Sequence, residues 1–225
     1  MSCVVIPYIL VAGMLMYYNY IRFSSPFDFG ANYNLTSNDM TLRGFKLDRI
    51  GLGIIQYLVQ PCDISTQFPF LSVIERRPLY MGRTIWENTF GGCLFLNPLL
   101  FLSAGLWFVR KKIQKSRLFY AMIYLSVASL VVVVADTEMA GILERYQADF
   151  LWMLVLVSSY VVLNLFLFSA ENIEVKSWLV HIMVILLFTG VGLQFLQLFV
   201  GSTITLEEAN PELYFKMYYL IQFWV

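Results

Sequence analysis

"FGGCLFLNPLLFLSAGLWFVRKKIQKSRLFYAMIYLSVASLVVVVA", residues 90–135, places two long apolar runs on either side of eight residues, five of them basic. A helix that crosses a hydrocarbon core of about 30 Å needs roughly 20 residues. The stretch therefore reads as two membrane spans, about 90–109 and 118–135, joined by the short loop 110–117. That loop carries Arg110, Lys111, Lys112, Lys115 and Arg117 and no acid. Short loops rich in Lys and Arg stay on the cytoplasmic side, so this one orients its neighbours.

Working outward, three further runs qualify, at about 3–20, 150–170 and 178–201. A last apolar stretch, 214–225, has only twelve residues and reads as an interfacial helix or an interrupted span. The expected architecture is an all-α integral membrane protein with about five transmembrane helices and a long, partly helical outer loop, residues 1–225 forming a single membrane domain. Alternation makes it multi-pass in the cell membrane, with the N-terminus cytoplasmic and the C-terminus extracytoplasmic. The long segment 22–89 and the "DTEMAGILERYQAD" loop then lie outside, and "ENIEVKS" lies inside. The absence of a basic residue before the first run argues against a secretory signal peptide.

Composition agrees with that class. Hydrophobic residues make up 59% of the 225 and charged residues 13%, whereas soluble domains carry about 25% charged residues. Mean hydropathy is +0.69. The 17% aromatic content suits rings placed at lipid–water boundaries. A net charge of zero gives a nucleic-acid partner no electrostatic support. Cys3, Cys62 and Cys93 form no CxxC pair and the chain has one histidine, so no metal site and no cofactor is assigned. No P-loop, HExxH, GxSxG or GxGxxG motif is present.

Within the outer loop, "MTLRGFKLDRIGLGIIQYLVQ" (residues 40–60) spaces Leu47, Ile50, Ile54 and Leu58 helically and clusters Arg43, Lys46, Asp48 and Arg49 at its start. It is too polar to span and is expected to lie along the outer membrane face or to cap the bundle. Pro61 ends it, and "PCDISTQFPF" reads as turns. A loop of this length, rich in Phe, Tyr, Leu and Ile, is expected to be ordered.

The ionisable groups at the outer margin are the candidate site. Arg22, flanked by Tyr17, Tyr18, Tyr20 and Phe23, reads as a snorkelling anchor in an aromatic belt, as a cation for a phosphate, or as the partner of Asp28. In "LERYQADF", Arg145 beside Tyr146 could bind a phosphate or carboxylate bidentately, or pair locally with Glu144 or with Asp149 four residues on. His181 reads as interfacial or hydrogen-bonded within the bundle, and Asn164, Gln194 and Gln197 as interhelical hydrogen-bonders. Gly91, Gly92 and Pro98 predict a kink with close helix approach.

Several segments resemble the C-terminal part of a family of bacterial integral-membrane proteins related to the GT-C glycosyltransferases, the class of protein mannosyltransferases and lipid-A aminoarabinose transferases. They are "YNYIRFSSPFDFGANYNLT", "YLVQPCDISTQFPF", "FLNP", "ERYQADF" and the closing "ANPELYF" with "YLIQFW". The resemblance implies a polyprenyl-phosphate-linked sugar bound outside the membrane, with Arg22, the 24–36 stretch and Arg145 bordering its cavity. A cation there would stabilise the departing phosphate. The resemblance also implies a catalytic acid on a first outer loop that precedes the region matched here. Asp28 does not inherit that role, because its loop resembles a later one. The chain is thus expected to be a C-terminal fragment of a larger enzyme, catalytically incomplete alone. The alternatives are a non-catalytic membrane subunit or scaffold binding a lipid or a membrane-protein partner, and a small transporter. Against the last, the spans carry no paired mid-membrane charges and no inverted repeat.

Overall fold

The computed structural model describes residues 2–30, 33, 45–74, 87–113, 117–169, 172–201 and 204–223. It divides into two compact units, Met1–Gly44 and Phe45–Val225. In the first, α1 (Ser2–Phe23) is a 22-residue helix over the first apolar run. It stops at Ser24, whose φ of 57° is left-handed and whose N–H reaches the Tyr20 carbonyl at 2.9 Å. The loop beyond folds back on the helix end: Asp28 Oδ1 accepts the Gly30 N–H at 2.8 Å, and the Phe23 ring stacks on Tyr33 at 5.1 Å. Gly30 sits at φ 83° against Phe23, where any Cβ would meet the ring at 2.7 Å.

The second unit begins with α2 (Leu47–Ile54), which runs into a π-helical turn, Ile55–Val59. A small antiparallel pair follows, β1 (Asp63–Ile64) with β2 (Leu71–Ser72), in the register Asp63↔Ser72 and Ile64↔Leu71. Next come α3 (Cys93–Leu96), a 3₁₀ segment Pro98–Gly105 and α4 (Leu106–Ile113). The long helices are α5 (Arg117–Met139), α6 (Gln147–Phe168) and α7 (Ile173–Val200). Two short helices, α8 (Leu206–Ala209) and α9 (Pro211–Ile221), complete the described chain.

The fold is mostly helical, and three helical stretches are long and apolar enough to cross a membrane: Arg117–Met139, Glu144–Phe168 and Ile173–Val200. They correspond to the third, fourth and fifth expected spans. The second is not one helix. Pro98 has no N–H to donate and pushes its predecessor out of the α region. Asn97 accordingly sits at φ −130°, ψ 78°, and the chain restarts as a 3₁₀ segment with Pro98 in its first turn. The broken stretch is covered by protein rather than left open, with Leu96 and Leu100 buried. Asn97 is reached by the Gln194 side-chain amide from α7.

Packing follows the helical repeat. On α6 the buried residues Gln147, Phe150, Leu154, Val157, Ser158 and Val161 form one stripe against α5 and the 3₁₀ segment. Small residues allow the close approach: Ser158 donates to the Leu100 carbonyl at 3.4 Å, and a Cβ on Gly105 would meet Val161 at 2.9 Å. Three apolar clusters result. One centres on Tyr57, Cys93, Leu100, Ile142 and Phe150, a second on Leu106, Phe119 and Val157, and a third on Leu71, Phe90 and Val200.

Two expectations change in detail. The helix in the outer loop does pack on the bundle, with Leu52, Ile54 and Leu58 against the first apolar cluster described above, but its most buried positions are not the expected apolar ones. Arg49, Gly53, Gln56 and Tyr57 are buried, while Leu47 is 73% exposed and Ile55 52%. Gly91 and Gly92 do permit close approach, to the backbone at the end of the π-helical turn and just beyond it rather than to another long helix. A Cβ on Gly92 would lie 2.6 Å from the Leu58 carbonyl and the Gln60 nitrogen.

Candidate functional site

The chemistry-bearing side chains of the second unit gather where α5 ends and α6 begins. Helix α5 runs a turn beyond the expected span, so Asp136, Thr137 and Glu138 are helical rather than part of the loop. A charge buried there needs a partner. Arg49 of α2 supplies it: its Nη2 lies 3.2 Å from Glu138 Oε2, both side chains 6% exposed or less. The same carboxylate oxygen accepts the Lys46 N–H at 3.0 Å. Gly53 makes the approach possible, since a Cβ there would fall 2.0 Å from the Thr137 hydroxyl.

One turn further along, Tyr57 is the hinge of the cluster. Its hydroxyl donates to the Gly141 carbonyl at 2.7 Å and accepts the Leu143 N–H at 3.1 Å, tying the π turn to the α5–α6 connection. Its ring meets Phe150 edge-on at 5.6 Å. Burial holds the phenol neutral well above the usual tyrosine range, outweighing the Leu143 N–H that favours the phenolate.

Glu144, Arg145 and Tyr146 form a 3₁₀ turn that leads into α6. Glu144 points inward. Its Oε2 accepts the Phe90 N–H at 3.2 Å, and Gln197 Nε2 of α7 lies 3.5 Å from its Oε1. Gln147 adds a second tie by donating to the Gly91 carbonyl at 3.0 Å. Cys62 is close by; burial first and the Glu144 charge second push its thiol up.

Arg145 points the other way. It pairs with neither Glu144 nor Asp149 but reaches Glu87 at 3.5 Å, its side chain 66% exposed, and it lies 5.5 Å from the centre of the Tyr146 ring. An exposed pair of this kind contributes at most about 1 kcal/mol, so a doubly charged phosphate could displace Glu87 from the guanidinium. Asp149 is exposed, and its carbonyl accepts the Trp152 indole N–H at 3.0 Å.

In the first unit, Arg22 bonds the Tyr18 hydroxyl at 3.0 Å and lies 5.2 Å from the centre of the Phe23 ring. Asp28 is engaged with its own loop rather than with Arg22. The six predicted residues thus fall into two sets. Arg22 and Asp28 belong to one unit, and Glu144, Arg145, Tyr146 and Asp149 to the other. Most of the 31–44 stretch and all of 75–86 lie outside the described residues.

Elsewhere, His181 Nδ1 contacts the Ser177 carbonyl at 2.7 Å within its own helix. Asn164 likewise bonds the Tyr160 carbonyl of its own helix, whereas Gln194 and Gln197 do reach across. Sequence reasoning missed Glu87, Glu138, Tyr57 and Gln147. The available signal was Arg49, a charge followed by an apolar run on a helix expected to cap the bundle, which when buried demands a carboxylate. Among the described residues, no group of three or more His, Cys, Asp or Glu side chains could hold a metal ion. No protein-family model, curated protein or solved structure matches the chain.

Proposed function

We propose that this chain is an integral membrane protein, the C-terminal membrane portion of a GT-C-like glycosyltransferase, which binds a polyprenyl-phosphate-linked sugar and does not itself supply the catalytic acid. Its five spans are α1, the broken Cys93–Ile113 region, α5, α6 and α7, with the basic loop 110–117 in the cytoplasm. The observation that carries the reading is Arg145, a two-thirds-exposed guanidinium at the outer end of α6. Glu144 braces that turn from within, and the only carboxylate within ion-pair distance among the described residues is easily displaced. Guanidinium geometry suits bidentate phosphate recognition. Leu47 of α2 and Ile55 of the π-helical turn, both outward, would then face lipid at the same margin.

The test is equilibrium binding of a polyprenyl phosphate to the protein in nanodiscs. Arg145→Ala should weaken it by roughly tenfold or more, the worth of one charge-assisted contact, with Arg22→Ala measured separately. Unchanged affinity in both variants sinks the phosphate site. Sugar transfer, assayed with the remainder of the enzyme present, should fall with binding.

A second reading is favoured by α7, of whose most apolar window only 6% is buried. That surface suits a scaffold subunit covered by another membrane protein. Co-purification of a stoichiometric partner, with lipid-phosphate binding absent, would select it.

A further inference from the structure

Far from that cluster, at the other end of α5, the 3₁₀ segment, α4 and the first turns of α5 leave a cleft between them. Its volume is about 450 Å³, and Ala104, Trp107, Arg110, Phe119, Tyr120 and Ile123 are among its walls. That is the size of a small-ligand site, and the lining is mostly apolar. Among the described side chains, Arg110 is the cation on its wall. The guanidinium carbon lies over the Trp107 ring, 3.3 Å from the ring centre. Among the described residues no carboxylate is within ion-pair distance of it. The chain continues from Arg110 into its densest basic run, five cations in eight residues without an acid.

Two features meet here, an apolar cleft and a guanidinium with no carboxylate partner among the described residues, and in the sequence a basic run follows directly. Trp107 at 65% exposure and Tyr120 at 59% flank the opening as amphipathic rings do at headgroup depth. We propose that this cleft is a binding site for an anionic phospholipid, with an acyl chain along Phe119 and Ile123 and the headgroup phosphate on Arg110. The charge pattern selects the occupant. A zwitterionic lipid would fill the apolar part equally but gain less from the basic end, because cationic side chains near the surface favour anionic lipids. The site rests on the membrane insertion proposed above but shares no residue with the Arg145 phosphate site.

The experiment is native mass spectrometry of the full chain released from micelles containing equal phosphatidylglycerol and phosphatidylcholine. Wild type should retain phosphatidylglycerol in preference. Arg110→Gln should cut that preference roughly fivefold, while Arg117→Gln, a nearby exposed cation outside the cleft, should leave most of it. Ala104→Phe, which fills the cleft, should lower retention of both lipids. Melting temperatures in the same detergent establish that each variant is folded. The proposal is overturned if Arg110→Gln keeps the full preference, if wild type shows none, or if wild type is found as a dimer that Ala104→Phe splits into monomers with lipid retention intact. That last result would assign the cleft to a second copy of the chain.

Discussion

Tyr57 shows what a single residue does in this molecule. Its hydroxyl satisfies one buried carbonyl and one buried N–H on the α5–α6 connection. Tyr57→Phe removes both partners at once and should cost about 1–3 kcal/mol, read as a lowered midpoint in detergent-mediated unfolding. The phenol also makes stability depend on alkaline pH. In the unfolded chain it ionises near its ordinary value of about 10, whereas burial keeps it protonated in the fold. The folded state therefore binds the extra proton, and Tyr57's contribution shrinks as pH rises above about 10. Unfolding midpoints followed from pH 8 to 11 should fall more steeply for wild type than for Tyr57→Phe; parallel curves would contradict this. Cys62 is governed by the same physics. With its thiol raised by burial and by Glu144, it should react with maleimide at pH 7 more slowly than a free thiol of ordinary pKa, and faster once unfolded.

Among the elements, the docking of α2 on α5 rests on Arg49–Glu138 and on Gly53 against Thr137. Removing one partner of a buried pair strands the other, so Arg49→Ala or Glu138→Ala should each destabilise by about 3–5 kcal/mol. The double variant Arg49→Met with Glu138→Gln should recover much of that, since glutamine still accepts the Lys46 N–H. A double variant no more stable than the singles would mean the pair is not what holds the helix. Gly92 tests the neighbouring contact. Alanine there would place a Cβ against main-chain atoms of Leu58 and Gln60, which cannot turn aside as a side chain would. A loss of about 1–3 kcal/mol is expected. The break at Asn97–Pro98 belongs to this scale as well. A run that composition alone reads as a continuous span is divided by one residue that cannot donate and constrains its predecessor.

For the whole molecule, three helical stretches are long and apolar enough to cross a membrane, and Leu47, Phe108, Ile173 and Phe188 are outward and exposed, which supports the proposed insertion in lipid. Alkaline carbonate washing should leave the protein in the membrane pellet; release into the supernatant would contradict integral insertion. Orientation is checked separately by substituted-cysteine labelling in a background lacking the native cysteines. Ser116→Cys should be reached only from the cytoplasmic side and Asn88→Cys only from outside.

What the sequence determined by itself was a mostly helical chain and, of the five apolar runs it marked, the three that form helices long and apolar enough to cross a membrane. Both depend on sums over some 20 residues, which survive any detail of packing. It also marked Arg145 and Glu144, because a charge at the end of an apolar run is conspicuous whatever surrounds it. Tertiary structure alone decided which side chains meet. Glu138 read as a loop acid until α5 was seen to continue and Arg49 to arrive from a segment about 90 residues earlier. Adjacent residues of one turn took opposite roles, Glu144 inward to backbone and amide donors and Arg145 outward to Glu87. The buried face of α2 and its π-helical turn is likewise shared: Leu52, Ile54 and Leu58 pack on the core beside the more deeply buried Arg49, Gly53 and Gln56. Apolar side chains of a lipid-surrounded helix would have two places to go, whereas a buried charge or amide has only the protein.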